Sequence, residues 1–250
     1  MQHPAASGPG LEATLVKRLG QYTLELTLRC APGATVILTG PSGSGKTTVL
    51  RCLAGLERLD NGCIRFNGAC WNDDATGWHT HPRHRGIGFL SQDYALFPHM
   101  TLRQNIRFAQ QGSEDPDKLL DEVGIGHLGD QRPHQVSGGE RQRAALCQTL
   151  ARRPGLLLLD EPFSALDAEN RRLLRGMLRR AQAESQLAVV QVTHDLAEAL
   201  SMPAEVVALC RGREDGDWLE RQRALLMADL DRLQAAQSTN SLSARTTVTR

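Results

Sequence analysis

Short apolar runs alternate with longer mixed segments along this chain. Five runs bounded by turn residues have the length and composition of buried strands: TVILT (35–39), GIGFLS (86–91), LLLLD (156–160), LAVVQVT (187–193) and EVVALC (205–210). Unbroken apolar strands separated by helical segments are typical of a mostly parallel sheet that is covered by helices on both faces. The pattern therefore predicts an α/β core.

A different pattern occupies the middle of the chain. From Asp93 to about Gln135 the segments are helical in character, are broken at FPH, EDP and RPH, and contain no convincing strand. Breaks of this kind between short helical segments favour a small helical unit. We therefore predict a helical subdomain over about 93–150, inserted into a domain that spans 13–212.

The two ends of the chain have patterns of their own. Residues 1–12 are expected to form a flexible leader, and the polar residues 237–250 are expected to be disordered. Between 213 and 236 the sequence predicts an amphipathic helix, because apolar side chains at 218, 219, 225, 226, 230 and 233 share one helical face. That face either docks on its own domain or contacts a dimer or another partner.

Composition and charge narrow the classes of partner. The 250 residues carry 29 basic and 28 acidic side chains, so a net charge of +1 offers no basic field, and we expect no nucleic-acid partner. The six cysteines are scattered, which predicts reduced structural thiols. The N-terminal segment lacks signal-peptide features and the apolar runs are too short to cross a bilayer. We expect a cytoplasmic protein that reaches a membrane only through a partner.

The segment TVILTGPSGSGKTTVL combines a strand, a glycine-rich loop and a helix start, and it matches the pattern GxxxxGK[ST]. Glycines let backbone N–H groups turn toward phosphate oxygens, and the following helix adds the positive end of its dipole. Lys46 is expected to reach the β- and γ-phosphates, and the Thr47 hydroxyl to bind Mg²⁺. The predicted phosphate-binding residues are Gly40, Pro41, Ser42, Gly43, Ser44, Gly45, Lys46, Thr47 and Thr48.

Carboxylates and a histidine follow two other predicted strands. Asp160 ends the run LLLLD, where a parallel sheet would bring it beside the glycine-rich loop as a second Mg²⁺ ligand. Glu161 comes next and is placed to polarise an attacking water. His194, in VVQVTHD, occupies the equivalent end of the next apolar strand, so it is a further catalytic candidate.

Taken in order, these segments resemble the nucleotide-binding subunits of ABC transporters over about residues 14–212. GPSGSGKTT is similar to the Walker A loop, LLLLDEP to Walker B, SALD (164–167) to the D-loop, and VSGGE (136–140) to the family signature. Gln92 in FLSQD resembles the Q-loop glutamine, and His194 the switch histidine. The resemblance implies a P-loop NTPase core with a mostly parallel sheet, an N-terminal antiparallel β portion and an inserted helical subdomain.

The resemblance also implies ATP and Mg²⁺ as cofactors, and a role for each motif. Glu161 is the general base, His194 contacts the γ-phosphate, and Gln92 joins Mg²⁺ and water to the helical subdomain. In the family, two subunits pair head to tail, and each ATP lies between the Walker A loop of one subunit and the signature of the other. The resemblance thus assigns Ser137, Gly138, Gly139 and Glu140 to the opposite subunit's ATP, and places Asp167 near that opposite pocket.

The residue types at 137–139 also suit an anion site at a helix start. Ser137 stands where a helix N-cap is expected, and Gly138 and Gly139 leave room for a phosphate near the backbone. The family most often has LSGGQ, so Glu140 in VSGGE places an unexpected negative charge beside an anion site. A second departure concerns the aromatic residue that stacks on adenine, for which Tyr22 is the nearest candidate.

The apolar segment DYALFPHM (93–100) resembles the surface that accepts a membrane permease, with contacts at Tyr94–Met100, although local core packing accounts for such residues equally well. An external solute-binding protein is then an indirect partner. Three segments look most like those of importer ATPases for oxyanions, molybdate in particular. They are KRLGQYTLELTL, WNDDATGWHTHPRHRGIGFLSQDYALFPHMTLRQNI and QVSGGERQRAAL. The regulatory β-domain that such subunits often carry is expected to be absent or replaced after ALCRGR.

The leading hypothesis is an ATP-hydrolysing importer subunit on the inner face of the membrane. A soluble ABC ATPase acting on chromosomes or ribosomes is the alternative, and an ATP-binding regulator without turnover is a third. The chain has neither the long heptad repeats nor the paired domains that those soluble classes carry.

Overall fold

The computed structural model describes residues 9–112, 115–164, 166–229 and 232. Within these ranges the strands are β1 Leu11–Leu19, β2 Tyr22–Cys30, β3 Thr35–Thr39, β4 Asn61–Phe66, β5 Ala69–Asp73, β6 Trp78–His79, β7 Ile87–Leu90, β8 Leu156–Asp160, β9 Ala188–Val192, β10 Glu205–Cys210 and β11 Arg213–Glu214. The α-helices are α1 Lys46–Ala54, α2 Leu102–Ala109, α3 Pro116–Glu122, α4 Gly138–Ala151, α5 Ala168–Ser185, α6 Leu196–Leu200 and α7, which covers 216–229. Short 3-10 helices lie at Asp74–Thr76, Pro82–His84, Gly126–Leu128 and Pro133–Gln135.

The strands join in the order β6-β5-β4-β1-β2-β11-β10-β3-β9-β8-β7. The neighbours from β10 to β7 are parallel, and those from β6 to β2 are antiparallel. All five predicted strands are present within one residue of their predicted bounds, and every residue of β3, β8 and β9 is buried. Burial on both faces is why these strands have continuous apolar sequences. The α/β prediction is confirmed.

The antiparallel half is larger than the predicted N-terminal portion, because β4, β5 and β6 at 61–79 belong to it. The local signal for this hairpin is the dipeptide Asn67–Gly68, which joins β4 to β5 with positive φ angles of 48° and 79°. Asn-Gly in a two-residue turn is the strongest short-range hairpin signal, since both residues must adopt positive φ. The interspersed polar residues of these strands hid the pattern from a search for apolar runs.

The first strand corrects the expected leader at 1–12. Strand β1 begins at Leu11, which is 1% exposed and pairs with Cys30 on one side and Phe66 on the other. Burying an apolar side chain of this size is worth about 1.5–3 kcal/mol, so the strand start belongs to the core. Residues 1–8 lie outside the described part of the chain.

Two buried apolar clusters lie against the sheet. One packs α1 against both halves of the sheet, and the other packs α2, α3, α4 and α5 against β8 and β9. Over 93–150 the described residues form helices and turns with no strand. Because α4 contacts β7, α2 and α5, the predicted helical segment is tied to the parallel sheet through that helix.

The C-terminal prediction needs a correction. Residues 213 and 214 form strand β11, so the helix begins at 216 rather than 213. Its apolar face docks shallowly: Trp218, Leu219 and Leu226 are half-buried, and Leu225 is 60% exposed. Positions 230, 231 and 233–236 of the predicted helix, and the predicted tail at 237–250, lie outside the described residues. No helix in the described ranges has the length and apolar character to cross a membrane.

The six cysteines are all free thiols. Burial raises the pKa of Cys30 to about 11 and that of Cys52 to about 12, which keeps both thiols protonated and unreactive at neutral pH. These two positions fit the predicted structural role.

Candidate nucleotide site

The glycine-rich loop joins β3 to α1 in a conformation that requires its glycines. The φ angles of Gly40, Gly43 and Gly45 are 134°, 75° and 103°. A Cβ at Gly40 would also lie 2.2 Å from the carbonyl oxygen of Leu209 on β10. Helix α1 starts after Gly45 with no side-chain cap, so its first N–H groups and its dipole are available to an anion.

The side chain of Lys46 is hydrogen-bonded to the glycine-rich loop itself. Its Nζ donates to the carbonyl oxygens of Gly40 at 2.8 Å and Pro41 at 2.9 Å. Burial lowers the pKa of Lys46, while the charges of Glu161 and Asp160 oppose that shift. A phosphate entering the loop replaces two neutral acceptors with a charged one, and this charge-assisted bond is the stronger.

The pocket over the loop has a volume of about 310 Å³. Tyr22, at the start of β2, forms one wall, and its hydroxyl donates to the carbonyl oxygen of Gly43. The structure thus places Tyr22 at the mouth of the loop, and its stacking on adenine stays a prediction. The lining residues are Leu19, Tyr22, Gly43, Ser44, Gly45, Lys46, Thr47 and Thr48.

Asp160 closes the inner side of the site at the end of β8. It is 3% exposed, and burial raises the pKa of its carboxyl, whereas a hydrogen bond with Thr47 and the charge of Lys46 oppose the shift. Its Oδ1 has no hydrogen-bond partner among the described residues. A buried carboxylate oxygen without a donor, next to a threonine hydroxyl, is an oxygen donor set that suits Mg²⁺. The residues present therefore fit the metal.

Glu161 and His194 meet at the same edge of the sheet. Strands β8 and β9 run parallel with Asp160 opposite Val192, so the residues that follow each strand are neighbours. His194 Nδ1 lies 2.7 Å from Glu161 Oε2, and the two side chains are 68% and 12% exposed. Glu161 has a φ of 54°, an uncommon conformation for a residue other than glycine, and its N–H donates to Val192.

Gln92 is near this edge without joining the network. It follows β7, the parallel neighbour of β8, and is exposed. Its side chain makes no hydrogen bond to any other described residue. The predicted contact of Gln92 with Mg²⁺ and water stays a prediction.

Ser137 caps α4 as expected, and the structure gives Glu140 a partner. Ser137 Oγ accepts from the Glu140 N–H at 3.4 Å, while the Ser137 N–H donates to Glu140 Oε2 at 2.7 Å. The hydrogen bond from Ser137 lowers the pKa of Glu140. This reciprocal pair is a capping box, and the carboxylate of Glu140 in the first turn also interacts favourably with the helix dipole.

The signature residues and the glycine-rich loop do not form one pocket. None of residues 137–140 lines the cavity above Lys46, whose walls come from residues 19–48. Within the described residues, the phosphate loop and the start of α4 are thus separate sites of anion-binding character.

Comparison with known proteins decides the family. A protein-family model described as ABC transporter matches residues 24–164, more than half of the chain. The chain belongs to this family. Its fold is also that of a solved ABC ATPase, titled as a dimeric structure of a post-hydrolysis state of the ATP-binding cassette MJ0796 bound to ADP and Pi. The TM-score is 0.67, with 26% identity over 82% of this chain and 97% of that chain.

Similar curated proteins are sulfate/thiosulfate import ATP-binding proteins named CysA. The protein from Synechocystis sp. is 45% identical over 207 residues, which are 79% of this chain and 57% of that protein. The protein from Nitrosomonas europaea is 43% identical over 213 residues, which are 80% of this chain and 57% of that protein. The chain therefore spans less than two thirds of the length of these relatives.

In this ABC chain the signature helix α4 is also bonded to the segment that carries Glu161. Gln142 is fully buried, and its Nε2 donates to the carbonyl oxygen of Pro162. Arg143 donates to Asn170, which in turn donates its backbone N–H to Asp167 at 2.8 Å. Asp167 is thereby the N-cap of α5. Sequence reasoning missed Gln142, because nothing local distinguishes a buried polar helix residue from an exposed one.

The side chains of the aromatic segment before α2 lie in two different environments. Tyr94 and Leu96 pack against the core, whereas Ala95 and Phe97 line a cleft of about 570 Å³ together with Phe108, which is 65% exposed. Core packing therefore accounts for Tyr94 and Leu96, and the contact of Tyr94–Met100 with a permease stays a prediction.

The turn at 97–101 is organised by a buried residue of α2. Asn105 is fully buried; it accepts from the Phe97 N–H at 2.7 Å and donates to Thr101 at 2.9 Å. Because both the oxygen and the nitrogen of the Asn105 side chain have hydrogen-bond partners, Asn105 fixes the backbone that places Phe97 at the cleft.

Proposed function

We propose that this chain is the ATP-hydrolysing subunit of an importer for oxyanions. The observation that carries the proposal is the meeting of Glu161 and His194 at 2.7 Å, at the sheet edge where Asp160 lies beside the phosphate loop. A general base, an orienting imidazole and a metal-binding carboxylate at one edge are the groups that phosphoryl transfer to water requires.

Each group has one task in this mechanism. Lys46 and the loop N–H groups bind the phosphates. Thr47 and Asp160 would hold Mg²⁺, and the bound metal would neutralise negative charge on the phosphates. Glu161 accepts the proton of the attacking water. His194 holds the Glu161 carboxylate in place and, at 68% exposure, is free to turn toward a γ-phosphate.

The second half of the nucleotide site is proposed to come from another copy of the chain. The anion-binding start of α4 is separate from the chain's own phosphate pocket, and the solved structural relative is dimeric. We infer that Ser137, Gly138 and Gly139 of one subunit close over the ATP held by its partner, with Asp167 near the opposite pocket.

The cleft at Phe97 and Phe108 is the proposed contact with a membrane permease. The exposed Phe108, the half-buried Phe97 and the apolar walls suit an amphipathic segment of such a partner. This contact would hold the chain at the cytoplasmic face of the membrane, with an external solute-binding protein as an indirect partner. The relatives are named for sulfate and thiosulfate import. Molybdate, another tetrahedral oxyanion, stays a prediction from the sequence.

The test uses Glu161→Gln, which keeps the size of the side chain and removes the base. In cells that depend on this chain, the variant is expected to abolish uptake of labelled sulfate, thiosulfate or molybdate, whichever the wild type supports. In light scattering, the purified variant with ATP and Mg²⁺ is expected to form dimers, and adding Lys46→Ala should abolish them. A Glu161→Gln chain that stays monomeric, even beside its permease, contradicts the paired site. Unchanged ATPase activity in Glu161→Gln contradicts the catalytic assignment.

A further inference from the structure

Helix α6, which follows His194, carries a buried carboxylate that the proposed mechanism does not use. Glu198 is 5% exposed, although α6 is only five residues long and lies near the surface. The Glu198 N–H donates to the N-cap Asp195 at 2.9 Å. The spacing of Asp195 and Glu198 is the one that forms a capping box, in which the acidic side chain returns to the cap's own N–H.

In α6 the Glu198 carboxylate does not bond to the N–H of Asp195. The Asp195 N–H donates instead to Thr193 Oγ1 at 3.1 Å, and the Glu198 side chain turns into the interior. This contrasts with Glu140, whose carboxylate does bond back to its cap residue, Ser137. The orientation of Glu198 is therefore set by the residues beneath α6 rather than by the local helix motif.

Beneath α6, Glu198 bonds to strand β9 and to the residue just after it. Gln191 Nε2 donates to Glu198 Oε1 at 2.7 Å, and Thr193 Oγ1 lies 3.4 Å from Glu198 Oε2. These contacts bracket His194, since Gln191 and Thr193 precede it and Glu198 follows it. The turn that carries the imidazole is thus fastened to the sheet from both sides.

A gain in stability does not explain why the Glu198 carboxylate is buried. Burial raises the pKa of Glu198, against the charges of Arg175 and Arg171. Gln191 Oε1 and the Nε atoms of both arginines have no hydrogen-bond partner among the described residues. A buried carboxylate among partly satisfied polar groups usually contributes little to stability, and such departures from local rules are concentrated at functional sites.

We propose that Glu198 is a positioning residue for His194: by holding Gln191 and Thr193, it fixes the 193–195 turn so that the imidazole meets Glu161. Glu198 itself touches neither the nucleotide nor the imidazole. The proposal rests on the role of His194 in hydrolysis proposed above.

The first test compares Glu198→Ala with Glu198→Gln in the full chain. Loss of the carboxylate is expected to lower kcat about 10- to 100-fold with KM within about twofold, because a displaced catalytic group slows chemistry more than binding. Glu198→Gln should recover most of the rate, since its amide oxygen still accepts from Gln191. The control Glu184→Ala removes an exposed carboxylate of α5 and should leave kcat unchanged. An unchanged kcat in folded Glu198→Ala overturns the proposal.

A double-mutant cycle separates this proposal from the proposed function. In a His194→Ala background, Glu198→Ala should cause no further loss of kcat, and additive losses would show that Glu198 acts independently of His194. If His194→Ala alone keeps the wild-type rate, the role proposed for His194 fails. If His194→Ala is impaired but Glu198→Ala is not, only the positioning proposal fails.

A spectroscopic measurement checks the position of the ring directly. The His194 imidazole signal, assigned by its loss in His194→Gln, should shift in Glu198→Ala and stay in place in Glu184→Ala. If circular dichroism shows that Glu198→Ala does not fold, Gln191→Leu removes the 2.7 Å bond with little change in volume and should lower kcat in the same way. A normal kcat in folded Gln191→Leu then overturns the proposal.

Discussion

The N–H of Ser137 donates to Glu140 Oε2 at 2.7 Å, which closes the first turn of the signature helix. The acidic residue that departs from the common family signature is therefore a capping residue. A carboxylate in the first turn also interacts favourably with the positive end of the helix dipole.

Glu140→Ala is expected to lower the free energy of unfolding by about 0.3–1 kcal/mol, the usual contribution of a carboxylate in the first turn of a helix. Glu140→Gln should cost less than about half of that, because glutamine at the same position forms the same box without the charge. Urea unfolding measures both. Equal losses in the two variants would mean that charge, rather than the reciprocal hydrogen bond, stabilises this turn.

The buried Asp160 predicts an unusual pH dependence. Its pKa is raised by burial above the unfolded value, so the folded chain holds the proton more tightly and its contribution to stability is lost as pH rises through the folded pKa. At pH 7 without Mg²⁺, Asp160→Asn should therefore have a higher Tm than the wild type.

Two controls accompany that measurement. Below pH 3.8, the ordinary value for aspartate, the Asp160→Asn chain and the wild type should have the same Tm. Adding Mg²⁺ with ATP should raise the Tm of the wild type more than that of the variant, since the variant lacks the anionic ligand. A variant less stable than the wild type at pH 7 would contradict a destabilising buried charge at Asp160.

The contact between His194 and Glu161 predicts a catalytic defect with intact binding. His194→Ala should lower kcat by about 100-fold or more, while the dissociation constant for ATP changes little, because the phosphate pocket is lined by residues 19–48. Steady-state kinetics and nucleotide titration measure the two quantities. His84→Ala, an exposed histidine in the 3-10 turn at Pro82–His84, is the control. A weaker affinity for ATP with a normal kcat would show that His194 contributes to nucleotide binding instead of catalysis.

The exposed Phe108 predicts a defect in coupling to the membrane partner. Phe108→Ser should reduce solute uptake in cells by a larger factor than it reduces ATPase activity of the purified chain, because neither Glu161 nor His194 lines the cleft. Leu225→Ser is the matched control, since Leu225 is similarly exposed at 60% but lies on α7. An equal loss of uptake in both variants would contradict a specific contact at the cleft.

Much of the fold follows from local signals. The parallel strands could be predicted because residues buried on both faces must be apolar throughout, and the phosphate loop because its glycines have φ angles that other residues rarely adopt. The hairpin at 61–79 was missed although Asn67–Gly68 marks it, since polar residues interrupt its strands.

The orientation of individual side chains was decided only by the tertiary structure. Glu140 and Glu198 both follow an N-cap residue at the same spacing, yet the first bonds back to its cap and the second turns inward to Gln191. The sequence determined which chemical groups the chain carries and the order in which they occur along it. Packing determined which of those groups meet, because the rotamer of a polar side chain depends on partners that are distant along the chain and close only after folding.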